Sequence, residues 1–179
     1  MIYKRREYVE KYGVYNLRKN IKAGKIHKIS NGYYSDDAEN DEINIITKKY
    51  KNSVFTMESA FYILGLTNKK PLKHTIATKR EGTRFKDKDI KQYYMKDNLF
   101  DIGITEVDYK NTKIRVYDKE RMLIELIRNR STLSFDYYKE IIRNYRKIIN
   151  KMDGYKLVEY LGHFTNGKKI YEKILYEVY

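Results

Sequence analysis

The sequence has no cysteine, a single proline, and no apolar run close to the roughly 18 residues of a membrane-spanning helix. Without cysteine there are no disulfides and no thiolate metal sites, a composition that suits a reducing cytoplasm. The first residues, MIYKRREYVEKYG, are basic but contain no apolar core segment, so they do not read as a secretory signal. A soluble cytoplasmic protein with no membrane partner is expected. The three histidines, His27, His74 and His163, lack H-x3-H or HExxH spacing, so no zinc motif is present. There is also no P-loop, GxGxxG or GxSxG, so neither a cofactor nor enzymatic activity is expected.

Basic charge is plentiful: the formal net charge is +14 over 179 residues. That length allows one sizeable core, or a small domain beside a larger one. Such basicity suits an anionic partner. Lys, Asn, Ile and Tyr are all abundant, however, as A/T-rich codons would dictate, so the distribution of charge says more than its sum. Residues 1–30 hold nine Lys/Arg against Glu7 and Glu10, a net of +7 that is half the total. The next stretch, SDDAENDE at 35–42, has five acids and no base. This reversal predicts a first domain at 1–36, an acidic linker at 37–42 and a second domain at 43–179.

In the first domain, YKRREYVEKY has helical character, with Tyr8, Val9 and Tyr12 available for one face, and Gly13 stops it. A second helix is expected over Tyr15–Ala23. Val14, Leu17 and Ile21 fall at i, i+3 and i+7 and would face inward, while Tyr15, Arg18, Lys19 and Lys22 point out. Gly24 suits the position just past the helix end. KIHKI then reads as a strand, Ser30-Asn31-Gly32 as a tight turn and YYS as the return strand. Ile26 and Ile29 have opposite parity, so the alternation of the first strand is imperfect. Helix, helix and basic hairpin is the order of a winged helix-turn-helix.

The second domain reads as mixed α/β, so the fold class is α/β (α+β): a winged helix-turn-helix, then a small sheet and a helical C-terminal part. EINIITKKY is a helix with Ile43, Ile46 and Tyr50 on one side. FTMESAFYILGL is another, with Thr56 as N-cap and Gly65 at its end. Pro71 sits in a loop. Strand candidates follow at 73–79 and 90–95, then ITEVDY and KIRVYD around Lys110-Asn111-Thr112. DKERMLIELIRNR is a helix with Asp118 as N-cap and Leu123, Ile124 and Ile127 as its buried stripe. SFDYYKEIIRNYRKIINKM is a second long helix, and residues 153–178 hold one or two more.

A recognition helix over 15–23 would place Asn16 and Arg18 at base edges and Lys19 and Lys22 at phosphates. Lys25, His27 and Lys28 would flank the DNA backbone from the hairpin, with Asn31 at its tip. Lys4, Arg5 and Arg6 would add phosphate contacts. The competing explanation is a solvated basic helix. One cluster has an enzymatic alternative: Glu106, Asp108 and Lys110 alternate along EVDYK, with Asp101 upstream, as in metal-dependent nucleases. A charged solvent face beside a turn explains it more simply. Glu58 and Ser59 read as helix-start hydrogen-bonding residues rather than base and nucleophile. Tyr33, Tyr34, Tyr93, Tyr94, Tyr137, Tyr138 and Tyr145 have core-like spacing and are mostly expected in the core or at its boundary.

Four collinear stretches, spread over most of residues 1–150, resemble the AbiEi family, the antitoxins of type IV toxin–antitoxin (abortive infection) systems. AGKIHKISNGYYS is similar to the family's wing. VFTMESAFYILGLTN is similar to the opening of its second domain, with Glu58, Ser59, Gly65 and Leu66 in register. IATKREG is similar to the following strand and basic loop. KIRVYDKERMLIELIRNRSTLSFDYYKEIIRNYRK resembles its helical signature, with Asp118, Glu120 and Arg121 at the helix start. Family members commonly carry a further helix ahead of the first two, where this chain has Met1-Ile2-Tyr3, so a minimal winged helix is expected. The resemblance implies an operator-binding autorepressor whose second domain counters a nucleotidyltransferase-like toxin, without requiring a stable complex with it. A module that acts on the toxin or its target without binding DNA stays open as the alternative.

Overall fold

Ile2–Lys4 form a strand, β1, where helical character was expected to begin at Tyr3. The strand pairs antiparallel with Tyr33–Ser35, placing Tyr3 opposite Tyr34 and Lys4 opposite Tyr33. Helix α1 (Arg5–Tyr12) starts directly after it, because the Glu7 carboxylate accepts the Lys4 backbone N–H at 3.0 Å. These features come from a computed structural model that describes residues 1–37, 41–110 and 112–179. Ala38, Glu39 and Asn40 of the expected linker, and Asn111 of the expected turn, lie outside the described residues.

Gly13 alone separates α1 from α2 (Val14–Lys22), and its φ of +82° is left-handed backbone that glycine tolerates best. Strands β2 (His27–Ser30) and β3 (Tyr33–Ser35) follow, giving a three-stranded sheet in the order β1-β3-β2. The opposite parity of Ile26 and Ile29 now has a cause: the β2–β3 register shifts between Lys28 and Ser30, a bulge at Ile29. Tyr8, Leu17 and Ile26 form the core beneath the helices, with Tyr3, Val9 and Tyr34 packed against it.

The chain divides between Lys51 and Asn52, so helix α3 (Glu42–Lys49) belongs to the first unit and not to the second as expected. The acidic stretch does not end a domain here. Its last members start a helix instead: Asp41 accepts the Ile43 N–H at 2.9 Å, Ile43 and Ile46 are buried, and Lys48 reaches Glu7 of α1 at 3.0 Å.

The second unit, Asn52–Tyr179, is built on a five-stranded mixed sheet in the order β6-β5-β4-β8-β7. Its members are β4 (Val54–Phe55), β5 (His74–Lys79), β6 (Ile90–Met95), β7 (Ile104–Tyr109) and β8 (Thr112–Tyr117). Strand β4 was not expected, since its two residues are too few for a periodicity, yet it is the central strand. Helices α4 (Met57–Ile63) and α5 (Asp97–Phe100) lie between strands, and α6 (Lys119–Arg128), α7 (Phe135–Ile148), α8 (Gly154–Gly162) and α9 (Gly167–Val178) complete the unit. The fold is therefore mixed α/β with a helical C-terminal part. Among the described residues, no helix is long and apolar enough to cross a membrane.

Two local expectations change. Thr56 stands at the N-cap of α4, but its side chain does not cap the helix. The cap comes from β5, where Thr75 Oγ1 accepts the Ser59 N–H at 2.9 Å while Ser59 Oγ accepts the Thr75 N–H at 2.8 Å. Helix α6 has no single buried stripe: every residue from Arg121 to Ile127 is buried, because the helix runs through the middle of the unit rather than along its surface.

Candidate nucleic-acid interface

Helix α2 turns one side to the core through Leu17 and fixes itself to α1 through Asn20, whose amide donates to the Tyr8 hydroxyl at 2.9 Å. Val14 and Ile21, expected to face inward, are instead 37% and 40% exposed. The aromatic rings of Tyr3, Tyr8 and Tyr34 fill much of the small core, and Leu17 is the residue of α2 buried in it. The outer side of α2 carries Tyr15, 76% exposed, with Asn16, Arg18, Lys19 and Lys22, all exposed.

Asn16 is not wholly available to a base edge. Its Nδ2 donates to the Tyr12 carbonyl at 2.7 Å, satisfying an orphan acceptor at the end of α1 and leaving the amide oxygen to a partner. Arg6 is engaged as well, with Nε donating to Glu10 at 2.8 Å one helical turn on. Both groups are exposed, so this i,i+4 pair is weak and exchangeable. By contrast Arg5, Arg18, Lys19, Lys22, Lys25 and Lys28 form no ion pair among the described residues.

The hairpin adds to this surface. Lys25 and Lys28 are exposed and His27 is half-buried. Asn31 and Gly32 form the two-residue connection, with the left-handed φ of +76° falling on Gly32 and not on Asn31. The Gly32 carbonyl accepts the Arg5 N–H at 2.8 Å, and Lys4 stands opposite Tyr33 in the sheet. The basic Lys4–Arg5–Arg6 run therefore begins beside the hairpin tip. The Glu7 carboxyl is held below the usual carboxylate range by the Lys4 backbone N–H and then by Lys48, so Glu7 stays charged and occupied.

In the second unit Glu58, Ser59, Gly65, Leu66, Asp118, Glu120 and Arg121 each have a structural role. Ser59 is locked to Thr75. Glu58 lies 3.7 Å from Lys91. Gly65 ends α4 with a φ of +71°, and the buried Leu66 gives its carbonyl to Asn144 at 2.9 Å. Asp118 caps α6 by accepting the Arg121 N–H at 2.8 Å, and it also meets Lys156 at 2.7 Å and the Tyr160 hydroxyl at 2.9 Å. Burial and that bond push the Tyr160 hydroxyl up to about 12. Glu120 reaches across to accept the Asp153 N–H at 3.0 Å.

Arg121 is 0% exposed. Its guanidinium donates to Glu125 at 3.0 Å and to the Leu99 and Ile102 carbonyls at 2.7 and 2.8 Å, and it stacks 4.6 Å from the Tyr117 ring centroid. This network was not foreseen from the sequence. Its signal was an Arg and a Glu four residues apart within an otherwise apolar helical run.

The candidate nuclease cluster is not assembled as a metal site. Glu106 and Asp108 are exposed on β7 and stand opposite Arg115 and Lys113 across the ladder, a cross-strand charge pattern. Asp101 pairs with Lys79 at 3.4 Å. Among the described residues no three His, Asp or Glu side chains gather as metal ligands. Of the tyrosines expected in or near the core, Tyr138 and Tyr145 are buried, whereas Tyr94 is exposed.

No protein-family model matches the sequence, and no curated protein matches it. Among solved structures, the fold is similar to the crystal structure of RV2827C protein from Mycobacterium tuberculosis. The TM-score is 0.72 at 9% identity, and the match covers 99% of this chain and 71% of that one. At this identity the likeness is one of fold.

Proposed function

We propose that residues 1–35 act as a winged helix that binds duplex DNA, with α2 in the major groove and the β2–β3 hairpin as the wing. The observation that carries this reading is the set of cations on one short segment that form no ion pair among the described residues: Arg18, Lys19 and Lys22 on α2, then Lys25 and Lys28 on or before the hairpin. The order strand, helix, helix, hairpin, with β1 beside β3, supports it. Arg18 reads bases and Lys19, Lys22, Lys25 and Lys28 neutralise phosphates. Together with the resemblance to AbiEi antitoxins, it supports reading the chain as a repressor of its own operon, whose second unit counters a nucleotidyltransferase-like toxin.

The test is a gel shift on the DNA upstream of the gene. The native protein should retard it, and Arg18→Ala/Lys22→Ala should abolish the shift at moderate salt. Unchanged retardation by that variant would remove α2 from the recognition role. Co-expression with the neighbouring gene tests the antitoxin half: restored growth supports it, and continued toxicity counts against it.

The exposed Val14, Tyr15 and Ile21 favour a second reading, in which α2 meets a protein. Apolar and aromatic groups are what protein interfaces concentrate at their centres. Tyr15→Ala separates the two readings. It should weaken DNA binding little if α2 meets DNA chiefly through its cations, and should abolish toxin neutralisation if α2 meets a protein.

A further inference from the structure

A groove of about 710 Å³ opens in the second unit, walled by the end of β6, α5, α6 and the start of α9. Among the described residues, five cations line it, Arg80, Lys96, Arg128, Lys169 and Lys173, and no acid does. Arg128 is paired with Glu125 at 2.7 Å and rests 4.7 Å from the Phe164 ring centroid. The other four form no ion pair among the described residues. This is not the rule in the unit, where Lys69, Lys79, Lys91 and Lys156 each have a carboxylate partner.

Lys169 and Lys173 are one helical turn apart on α9, a like-charge spacing that works against the helix. They are also gathered with three more cations around one cavity, and an anion held there would relieve the repulsion. The groove reaches Thr165 and Asn166, where the first N–H groups of the twelve-residue α9 add positive dipole. The remaining lining is apolar or aromatic and includes Met95, Leu99, Ile127 and the exposed ring of Tyr94. Cations on one side and an apolar wall on the other, in a volume suited to a small molecule, describe a ligand with a charged end and a flat apolar end.

We propose that this groove binds a nucleoside di- or triphosphate. Its phosphates lie among Lys169, Lys173, Lys96 and Arg80 at the start of α9, and its base lies against Tyr94 and the apolar wall. The site is independent of the DNA-binding role of the first unit.

Calorimetric titration of the full chain with ATP and with GTP tests this, using inorganic triphosphate and adenosine as partial probes. Saturable 1:1 binding of at least one nucleotide is expected, with inorganic triphosphate weaker and adenosine weaker still. Lys169→Ala/Lys173→Ala should lose about tenfold or more in affinity, as expected for removing charge-assisted phosphate contacts. The same variant should unfold no earlier than the native protein, because it removes like charges from α9. Arg18→Ala/Lys22→Ala should bind nucleotide as the native protein does. Three results would overturn the proposal: no saturable nucleotide binding, undiminished binding by the Lys169→Ala/Lys173→Ala protein, or triphosphate binding as tightly as either nucleotide.

Discussion

Two sets of cations, one in each unit, are held in opposite ways. In the second, Arg121 is sealed from solvent by Glu125, two backbone carbonyls and the Tyr117 ring, and Lys156 is held by Asp118. In the first, Arg18, Lys19, Lys22, Lys25 and Lys28 stand on a small aromatic core with no acidic partner among the described residues. A cation whose donors are filled from within contributes to one fold, whereas a cation with none filled is available to something outside it. A charge count of +14 blends the two kinds. The groove of the second unit is the exception that shows the distinction is local.

Removing charges of each kind should therefore have different consequences. Arg121→Ala should have the largest effect on stability, about 3–5 kcal/mol, because it empties a sealed site, strips the buried Glu125 of one of its two arginine partners and leaves the Leu99 and Ile102 carbonyls without their donor. Denaturant unfolding would show this as an early transition of the second unit, while Arg18→Ala and Lys22→Ala should shift stability by no more than about 0.5 kcal/mol. In the first unit the sensitive residue is apolar: Leu17→Ala should cost about 2–4 kcal/mol, read by loss of near-ultraviolet tyrosine signal.

Gly103→Ala should cost about 2 kcal/mol. Its φ is +79°, and an added Cβ would come within 2.6 Å of the Arg121 Cβ, pressing on the buried network from outside. The smallest effect concerns pH. Glu7 and Glu140 are both held below the usual carboxylate range, Glu7 first by the Lys4 N–H and Glu140 first by Lys69. Their unfolded forms bind protons more readily, so their contribution is present above the unfolded pKa and lost as pH falls through the lowered folded values. Thermal unfolding followed from pH 6 to pH 3 should show Glu140→Gln losing less stability on acidification than the native protein.

Much of the fold was legible in the sequence because it was written locally. The Asn31-Gly32 turn, the Asp118 cap, the alternation of ITEVDY and the glycine after α4 each need only their neighbours. The features that were missed depend on distant partners. β4 is two residues long and exists because β5 and β8 flank it. The cap of α4 comes from Thr75 rather than from Thr56. β1 is held by β3, thirty residues away in sequence, and the same pairing brings Lys4 and Arg5 to the hairpin tip. In the candidate interface, the outward cations of α2 were readable from helical spacing. The exposure of Val14 and Ile21 was not, because three tyrosines supplied from β1, α1 and β3 fill much of the core they were assigned to.

The central claim is that the unpaired cations of α2 meet DNA phosphates and bases. The most direct measurement is the affinity of the full chain for its upstream DNA, by fluorescence anisotropy, across a series of salt concentrations. Log affinity should fall linearly with log salt, and each phosphate contact removed should reduce the slope by about 1. Lys19→Ala/Lys22→Ala should therefore lower the slope by about 2, and Arg18→Ala should narrow the preference for upstream over unrelated DNA. An unchanged slope in Lys19→Ala/Lys22→Ala, with the protein folded and DNA still bound, would contradict the assignment.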